Sequence, residues 1–104
     1  MKICYDVDGT IIHDGNPKYK FISPITGSEE PLDSTPRYEI IQMFKMHEAL
    51  GFQMFIWSGG GVDYAKYWAA KLGLSATVVA KGSFRPDIAV DDQEVDLGII
   101  NIRV

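Results

Sequence analysis

Short, almost continuous apolar runs are the feature that most constrains the fold of this chain. The first run, Ile3-Cys4-Tyr5 with Val7, is apolar at nearly every position and does not alternate with polar residues. Such a run is typical of a strand that is buried on both faces of a parallel sheet. Further strand-length apolar runs lie at 52–57, 76–80, 88–90 and 99–104. We therefore expect a parallel sheet built from these segments.

Two segments between these runs have the spacing of amphipathic helices. The first begins at Thr35-Pro36, which predicts an N-cap followed by proline at the first helical position, and it ends at Gly51. The second has apolar residues at helical spacing from Val62 to Leu72 and ends at Gly73. Strands that alternate with helices over short loops predict an α/β fold, a three-layer, doubly wound (Rossmann-like) parallel sheet.

The segment from Ile11 to Thr35 follows neither pattern. Five glycines and prolines interrupt it, which predicts a loop with a small hairpin around 19–25. Segments below ~40 residues rarely fold alone, so this one can form a flap but not a separate cap domain. A chain of 104 residues has room for one core. We expect a single domain over 1–104, with 11–35 as a flap.

Composition excludes several classes of protein. A net charge of −4 and a pI near 5.0 argue against a protein that grips nucleic acid over its whole surface, which leaves nucleic acid as a substrate only. The single cysteine cannot form an intramolecular disulfide or a cysteine-rich zinc site. No apolar run approaches the ~20 residues that span a bilayer, and no signal-like stretch stands at the N-terminus. These features predict a cytoplasmic protein that does not contact membranes.

Polar residues follow four of the predicted strands, at the point where each strand ends. They are Asp6, Asp8, Ser58, Lys81, Asp91 and Asp92. In open α/β sheets, ligands bind outside the carboxyl ends of the strands. We therefore expect these side chains to lie around one depression.

These residue types fit a metal ion and a phosphate group. Closely packed carboxylates need a cation to share, and oxygen ligands without histidine or cysteine select a hard metal such as Mg²⁺. The Ser58 hydroxyl and the N–H groups of Gly59–Gly61 can approach a phosphate, at the positive end of the helix that follows. Lys81 supplies the matching positive charge. The sequence therefore predicts a joint site for Mg²⁺ and a phosphorylated substrate.

The order of these residues resembles a known family. Asp6-Val7-Asp8-Gly9-Thr10 after a buried strand looks like the first motif of the haloacid dehalogenase superfamily of phosphatases and phosphotransferases. Ser58 resembles the second motif and Lys81 the third. Ile88-Ala89-Val90-Asp91-Asp92, with Asp96, resembles the acidic fourth motif. The resemblance covers nearly the whole chain, and it implies a haloacid-dehalogenase-like fold without a cap domain.

The resemblance also implies a reaction, the hydrolysis of a phosphomonoester with Mg²⁺. Asp6 would be the nucleophile that forms an aspartyl-phosphate. Asp8 would be the general acid for the leaving oxygen and then the base for water. Lys81 would neutralise the charge of the transferred group and, with Ser58 and Gly59, bind its phosphate.

The implied metal ligands are Asp6, the backbone carbonyl of Asp8, and Asp92. Supporting roles go to Thr10, Asp91 and Asp96. Because Asp91 stands where the family commonly has glycine, it stays open which of Asp91, Asp92 and Asp96 ligates the metal directly.

A site without a cap is open to water. Water exclusion must then come from a large phosphorylated substrate, such as a polynucleotide end or a protein side chain, or from a second copy of the chain in a homo-oligomer. Lys18 and Lys20 give the flap a local positive charge that suits such a substrate.

Two other functions compete with the phosphatase. One is a binding or regulatory module that keeps the phosphate pocket but does not turn over; Asp8 counts against it, because an acid and base would be superfluous there. The other is a phosphoacceptor receiver domain. Receivers carry their phosphorylated aspartate after the third strand, whereas Asp6 follows the first.

Cys4 and His47 are predicted to be packed residues. Cys4 is therefore not expected to be a reactive thiol, and His47 is not expected to be a ligand.

Overall fold

The computed structural model describes residues 1–13, 20–22, 29–31 and 35–104. In this part of the chain the elements, in order, are β1 (Lys2–Tyr5), β2 (Lys20–Ile22), β3 (Glu29–Pro31), α1 (Tyr38–Ala49), β4 (Gln53–Ile56), α2 (Val62–Lys71), β5 (Thr77–Val78), β6 (Ile88–Asp91) and β7 (Ile100–Arg103). β1, β4, β5, β6 and β7 form one sheet, while β2 and β3 form a separate antiparallel pair.

The larger sheet is parallel throughout and has the order β5-β4-β1-β6-β7. β1 is its central strand, with Cys4 paired to Phe55 of β4 on one side and to Ala89 of β6 on the other. The predicted α/β fold with a parallel sheet is thus confirmed. The chain builds one half of the sheet through β4 and β5, then returns to β6 and β7. The strand order therefore reverses between β1 and β6, which is where open α/β sheets bind ligands.

One face of the sheet packs against both described helices. Ile3 and Tyr5 of β1 belong to the same buried cluster as Phe44 of α1 and Trp68 of α2. Because alternate residues of a strand point to opposite faces, Cys4 points to the other side. Both helices therefore cover the same face.

The other face has a smaller cluster made of Cys4, Trp57 and Ala89. Phe84 and Leu97, which lie in loops, pack against this cluster, and none of its members lies in a helix of the described residues. A doubly wound sheet needs helices on both faces, so the three-layer part of the prediction is not confirmed. Cys4 is completely buried, and this burial raises the pKa of its thiol to about 12, which confirms that it is a packed residue.

The predicted start of the first helix is wrong by two residues. α1 begins at Tyr38, after an N-cap at Arg37. Thr35 and Pro36 are instead extended alongside the residues that follow β1: the Thr35 carbonyl accepts from the His13 N–H at 2.8 Å, and Pro36 forms an antiparallel bridge with Ile12. Because residues 35–36 pair with residues 12–13, their backbone is extended and the helix begins only after Arg37.

Part of the predicted flap lies within the described residues. Its hairpin pairs Lys20–Ile22 with Glu29–Pro31, so the second strand lies farther along the chain than the predicted span of 19–25. Residues 14–19, 23–28 and 32–34 lie outside the described residues, and Lys18 is among them. In the part of the chain that the structure describes, no helix is long and apolar enough to cross a membrane.

His47 is a buried titratable group of α1 and a packed residue, as the sequence predicted. A hydrogen bond of 2.6 Å joins its Nδ1 to the Tyr5 hydroxyl, and its ring stacks on Phe52 with 5.2 Å between centroids. Burial lowers the pKa of His47 below its ordinary value of 6.5. The folded chain therefore resists a proton that the unfolded chain accepts.

His47 should lower the free energy of unfolding as the pH falls below 6.5, because the unfolded state then binds a proton at position 47 that the folded state excludes. Asp6, whose pKa is raised, acts in the opposite direction, so the effect of His47 is measured as the difference between wild type and His47→Gln in urea unfolding at pH 7.5 and 5.5. Between these two pH values, wild type should lose free energy of unfolding relative to His47→Gln. His13→Gln, which changes the exposed second histidine, should keep the wild-type pH dependence. An unchanged pH dependence in His47→Gln would contradict the prediction.

Candidate functional site

A cleft of about 290 Å³ opens at the carboxyl edge of the sheet. Loops that follow β1, β4, β5 and β6 supply its walls. The lining residues are Asp6, Asp8, Gly59, Gly60, Lys81, Asp92 and Gln93. Most of the residues predicted from the strand ends therefore lie around one depression.

Asp6 and Asp91 share the ammonium group of Lys81. The Lys81 Nζ lies 3.2 Å from Asp6 Oδ1 and 2.8 Å from Asp91 Oδ2. Both carboxylates are buried, with 5% and 2% of the residue exposed. The Asp6 N–H donates to the carbonyl of Val90 at 3.0 Å, which continues the pairing of β1 with β6. Lys81 thus joins the ends of the two strands between which the strand order reverses.

Charge is not balanced at this junction. Burial, and next to it the charge of Asp91, raise the pKa of Asp6 to about 7, and Lys81 only partly opposes the two. Burial alone would lower the pKa of Lys81, but its hydrogen bonds and its attraction to the two aspartates raise it on balance. One ammonium facing several carboxylates leaves an excess of negative charge, and a bound cation would offset it.

The carboxylates of Asp6, Asp91 and Asp92 form a group that could hold a metal ion, with oxygen atoms within 4.8 Å of one another. Asp91 is already occupied at both oxygens, because Oδ2 accepts from Lys81 and Oδ1 accepts from the Gln93 N–H at 2.9 Å. The Asp92 carboxylate accepts, from the residues that the structure describes, only a longer contact of 3.2 Å from Gln93 Nε2 at its Oδ2. These contacts favour Asp92 over Asp91 as a direct ligand.

Gly9 allows Asp92 to reach the cleft. Its φ of +75° is a conformation that side chains rarely adopt, and an added Cβ would lie 2.2 Å from Asp92 Oδ2. The Gly9 carbonyl accepts a hydrogen bond of 2.6 Å from Arg37 Nη1, which ties the start of α1 to the turn after Asp8. The glycine of the first motif is therefore required by backbone conformation and by space.

Asp8 and the loop of glycines are both held by α2. The hydroxyl of Tyr64 donates a hydrogen bond to Asp8 Oδ1. In the loop, the Gly60 N–H donates to Ser58 Oγ at 3.0 Å, and Ser58 is buried. α2 begins directly after this loop, with Gly61 as its N-cap, so the positive end of the helix lies beside the loop.

The three predicted supporting residues do not line the cleft. Thr10 is completely buried, and its hydroxyl has no hydrogen-bond partner among the described residues. The Asp96 side chain is 77% exposed and forms an ion pair of 2.8 Å with Arg85. Among the residues that the structure describes, Asp91 alone of the three forms an ion pair with a lining residue, Lys81.

Sequence reasoning missed three residues of this region: Arg37, Tyr64 and Gln93. Gln93 follows the acidic pair directly, so its position next to the fourth motif was a usable signal. Arg37 and Tyr64 carry no such signal, because they reach the turn after β1 from distant helices.

Comparison with known proteins adds no family: no protein-family model matches the chain, and the search of curated proteins gave no match.

We expect Gly9→Ala to destabilise the fold more than Gly51→Ala. Both glycines have positive φ, but an added Cβ meets no atom within 4 Å at Gly51, whereas at Gly9 it displaces Asp92. Overpacking of this kind costs about 1–3 kcal/mol beyond the strain that both variants share. Urea unfolding gives the two free energies. In an Asp92→Ala background the difference should shrink, and equal losses in both single variants would refute the steric argument.

Proposed function

We propose that the protein is a magnesium-dependent phosphomonoester hydrolase that acts through an aspartyl-phosphate on Asp6. The observation that carries this proposal is the shared cleft, in which Asp6, Asp8, Lys81 and Asp92 face one opening although three different loops supply them. A nucleophile, a second carboxylate two residues away, a fixed ammonium and a further acidic group are the parts that phosphoryl transfer through an aspartate requires.

The proposal includes a fold family. The central position of β1, the reversal of strand order beside it and the four motifs in order support a haloacid-dehalogenase-like domain without a cap. In that family, helices cover both faces of the sheet. This protein would be a variant in which loop residues such as Phe84 cover the second face.

The residues fit Mg²⁺, because the clustered side chains of Asp6, Asp91 and Asp92 offer only oxygen atoms as ligands. Asp6 and Asp92 would hold the ion with their carboxylates, together with the backbone carbonyl of Asp8. When bound, the ion supplies positive charge to the transferred group and to Asp6.

In the first step of the proposed reaction, a carboxylate oxygen of Asp6 attacks phosphorus. The new oxygen–phosphorus bond forms while the bond to the leaving oxygen breaks, and the Asp8 carboxylic acid gives its proton to that oxygen, which departs as an alcohol. Lys81, 3.2 Å from Asp6 Oδ1, stabilises the charge on the transferred group.

In the second step, Asp8 is a carboxylate and takes a proton from water. The water oxygen attacks phosphorus, and the bond between phosphorus and Asp6 breaks. Inorganic phosphate leaves, Asp6 is again a carboxylate, and Asp8 is again protonated. The cycle consumes one phosphomonoester and one water.

The size of the cleft supports a substrate that lies mostly outside it. Its volume of about 290 Å³ is at the lower limit of small-ligand pockets, which occupy ~300–1,000 Å³. A phosphate carried on a large molecule, with the substrate or a second copy of the chain covering the site, remains our prediction. Lys18 lies outside the described residues and the structure describes only the backbone of Lys20, so a contact between the flap and the substrate is a prediction too.

We expect the protein to hydrolyse p-nitrophenyl phosphate with Mg²⁺ and to lose this activity with a chelator or in the Asp6→Asn variant, because both remove a part of the nucleophilic step. Release of p-nitrophenol measures the rate. Asp87→Asn is the matched control, because Asp87 lies before β6 at the opposite edge of the sheet, where its Oδ2 accepts from the Lys2 N–H at 2.7 Å. A wild-type protein that binds phosphate but releases no product would support the non-catalytic module instead.

Asp8→Asn should separate good leaving groups from poor ones. An aryl phosphate departs without a proton, whereas an alkyl phosphate needs the acid, and general acid–base catalysis is worth typically ~100- to 10,000-fold. We therefore expect a large loss of rate for an alkyl phosphate and a smaller one for p-nitrophenyl phosphate. Equal and undiminished rates with both substrates would refute the role of Asp8.

A further inference from the structure

Tyr64 reaches the cleft region and has no role in the proposed reaction. It belongs to α2, its ring is buried in the main core cluster with 7% of the residue exposed, and its hydroxyl donates a hydrogen bond to Asp8 Oδ1. The residues are 56 positions apart in the chain. Packing accounts for the buried ring of Tyr64, but it does not account for the hydrogen bond from its hydroxyl to the turn after β1.

The ring also lies beside the loop of glycines. A Cβ added at Gly60 would lie 3.0 Å from Cδ1 of Tyr64, so the space next to this glycine is filled by the ring. The N–H of the same glycine donates to Ser58 Oγ. Tyr64 therefore lies beside the loop that is proposed to bind the phosphate, and its hydroxyl binds the carboxyl group that is proposed to move the proton.

We propose that Tyr64 is a positioning residue that fixes the direction of the Asp8 carboxyl group relative to the bound phosphate; this inference rests on the proposed function. Asp8 has to meet the leaving oxygen in the first step and water in the second, at the same phosphorus. A carboxyl group rotates about two side-chain torsions, and a hydrogen bond from a buried ring removes this freedom. The phenol keeps its own proton in both steps.

This role predicts a specific kinetic pattern. Loss of the hydroxyl should impair proton delivery and leave phosphate binding intact, so kcat should fall while KM stays near the wild-type value. The loss should be larger for an alkyl phosphate than for an aryl phosphate, because an alkyl phosphate needs Asp8 in both steps and an aryl phosphate needs it only in the second. A hydrogen bond to a charged group corresponds to about a 10- to 100-fold effect on the rate.

The test uses Tyr64→Phe, which removes the hydroxyl and keeps the ring in the core. Rates with p-nitrophenyl phosphate and with an alkyl phosphate are measured in wild type, Tyr64→Phe, Asp8→Asn and the double variant. We expect Tyr64→Phe to slow alkyl phosphate hydrolysis in the wild-type background and to have no further effect once Asp8 is replaced. Tyr67→Phe is the matched control, because Tyr67 lies on the same helix, is similarly buried, and has its hydroxyl 3.4 Å from Lys71 Nζ.

A further variant does not depend on the folding of Tyr64→Phe. Gly60→Ala pushes its new methyl group against the Tyr64 ring. Relative to wild type, Gly60→Ala should lose more activity with an alkyl phosphate than with an aryl phosphate.

The outcomes are distinguishable. If Tyr64→Phe slows neither substrate, or still slows the reaction in the Asp8→Asn background, the positioning role is overturned and the phosphatase stands. If the wild-type protein hydrolyses neither substrate, the proposed function fails, and this inference falls with it.

Discussion

The ammonium of Lys81 is the contact on which the rest of the site depends. It binds two buried carboxylates at the ends of neighbouring strands, Asp6 after β1 and Asp91 at the end of β6. Removing one partner of a buried ion pair typically costs about 3–5 kcal/mol, because the remaining charge has no compensation. Lys81 therefore holds together the junction at which the strand order reverses, and the same contact leaves an excess of negative charge facing the cleft. The buried negative charge that makes this junction unfavourable to fold would also attract a cation.

The described helices cover only one face of the sheet, and loop segments cover the other face. β1 is buried on both faces, and Phe55 of β4 is half-buried on the side of Trp57, so loops must cover this side of the sheet. Phe84, which packs on Trp57 and Phe55 with ring centroids 6.0 and 5.0 Å apart, does this directly. The loops of this small domain are thus part of its core as well as of its cleft.

The residues that could be predicted from sequence are those whose position follows from the end of a strand. Asp6, Lys81 and Asp92 line one cleft because parallel strands bring their carboxyl ends to one edge, a rule that needs no tertiary detail. The parts that sequence could not supply depend on pairing between distant segments. The start of α1 was predicted wrongly because a bridge to Ile12 outweighed the local helix signal, and Tyr64 was missed because its helical spacing is that of any packed aromatic residue.

The loop after β5 carries Lys81 and, three positions later, Phe84, which lies over Trp57. A segment that opens to let its lysine swing away would also expose a completely buried indole to water. Such an opening resembles partial unfolding more than an ordinary loop motion, and it is correspondingly rare. The loop that carries Lys81 therefore stays in place, and a ligand that enters the cleft meets an ammonium group that is already positioned beside Asp6 and Asp91.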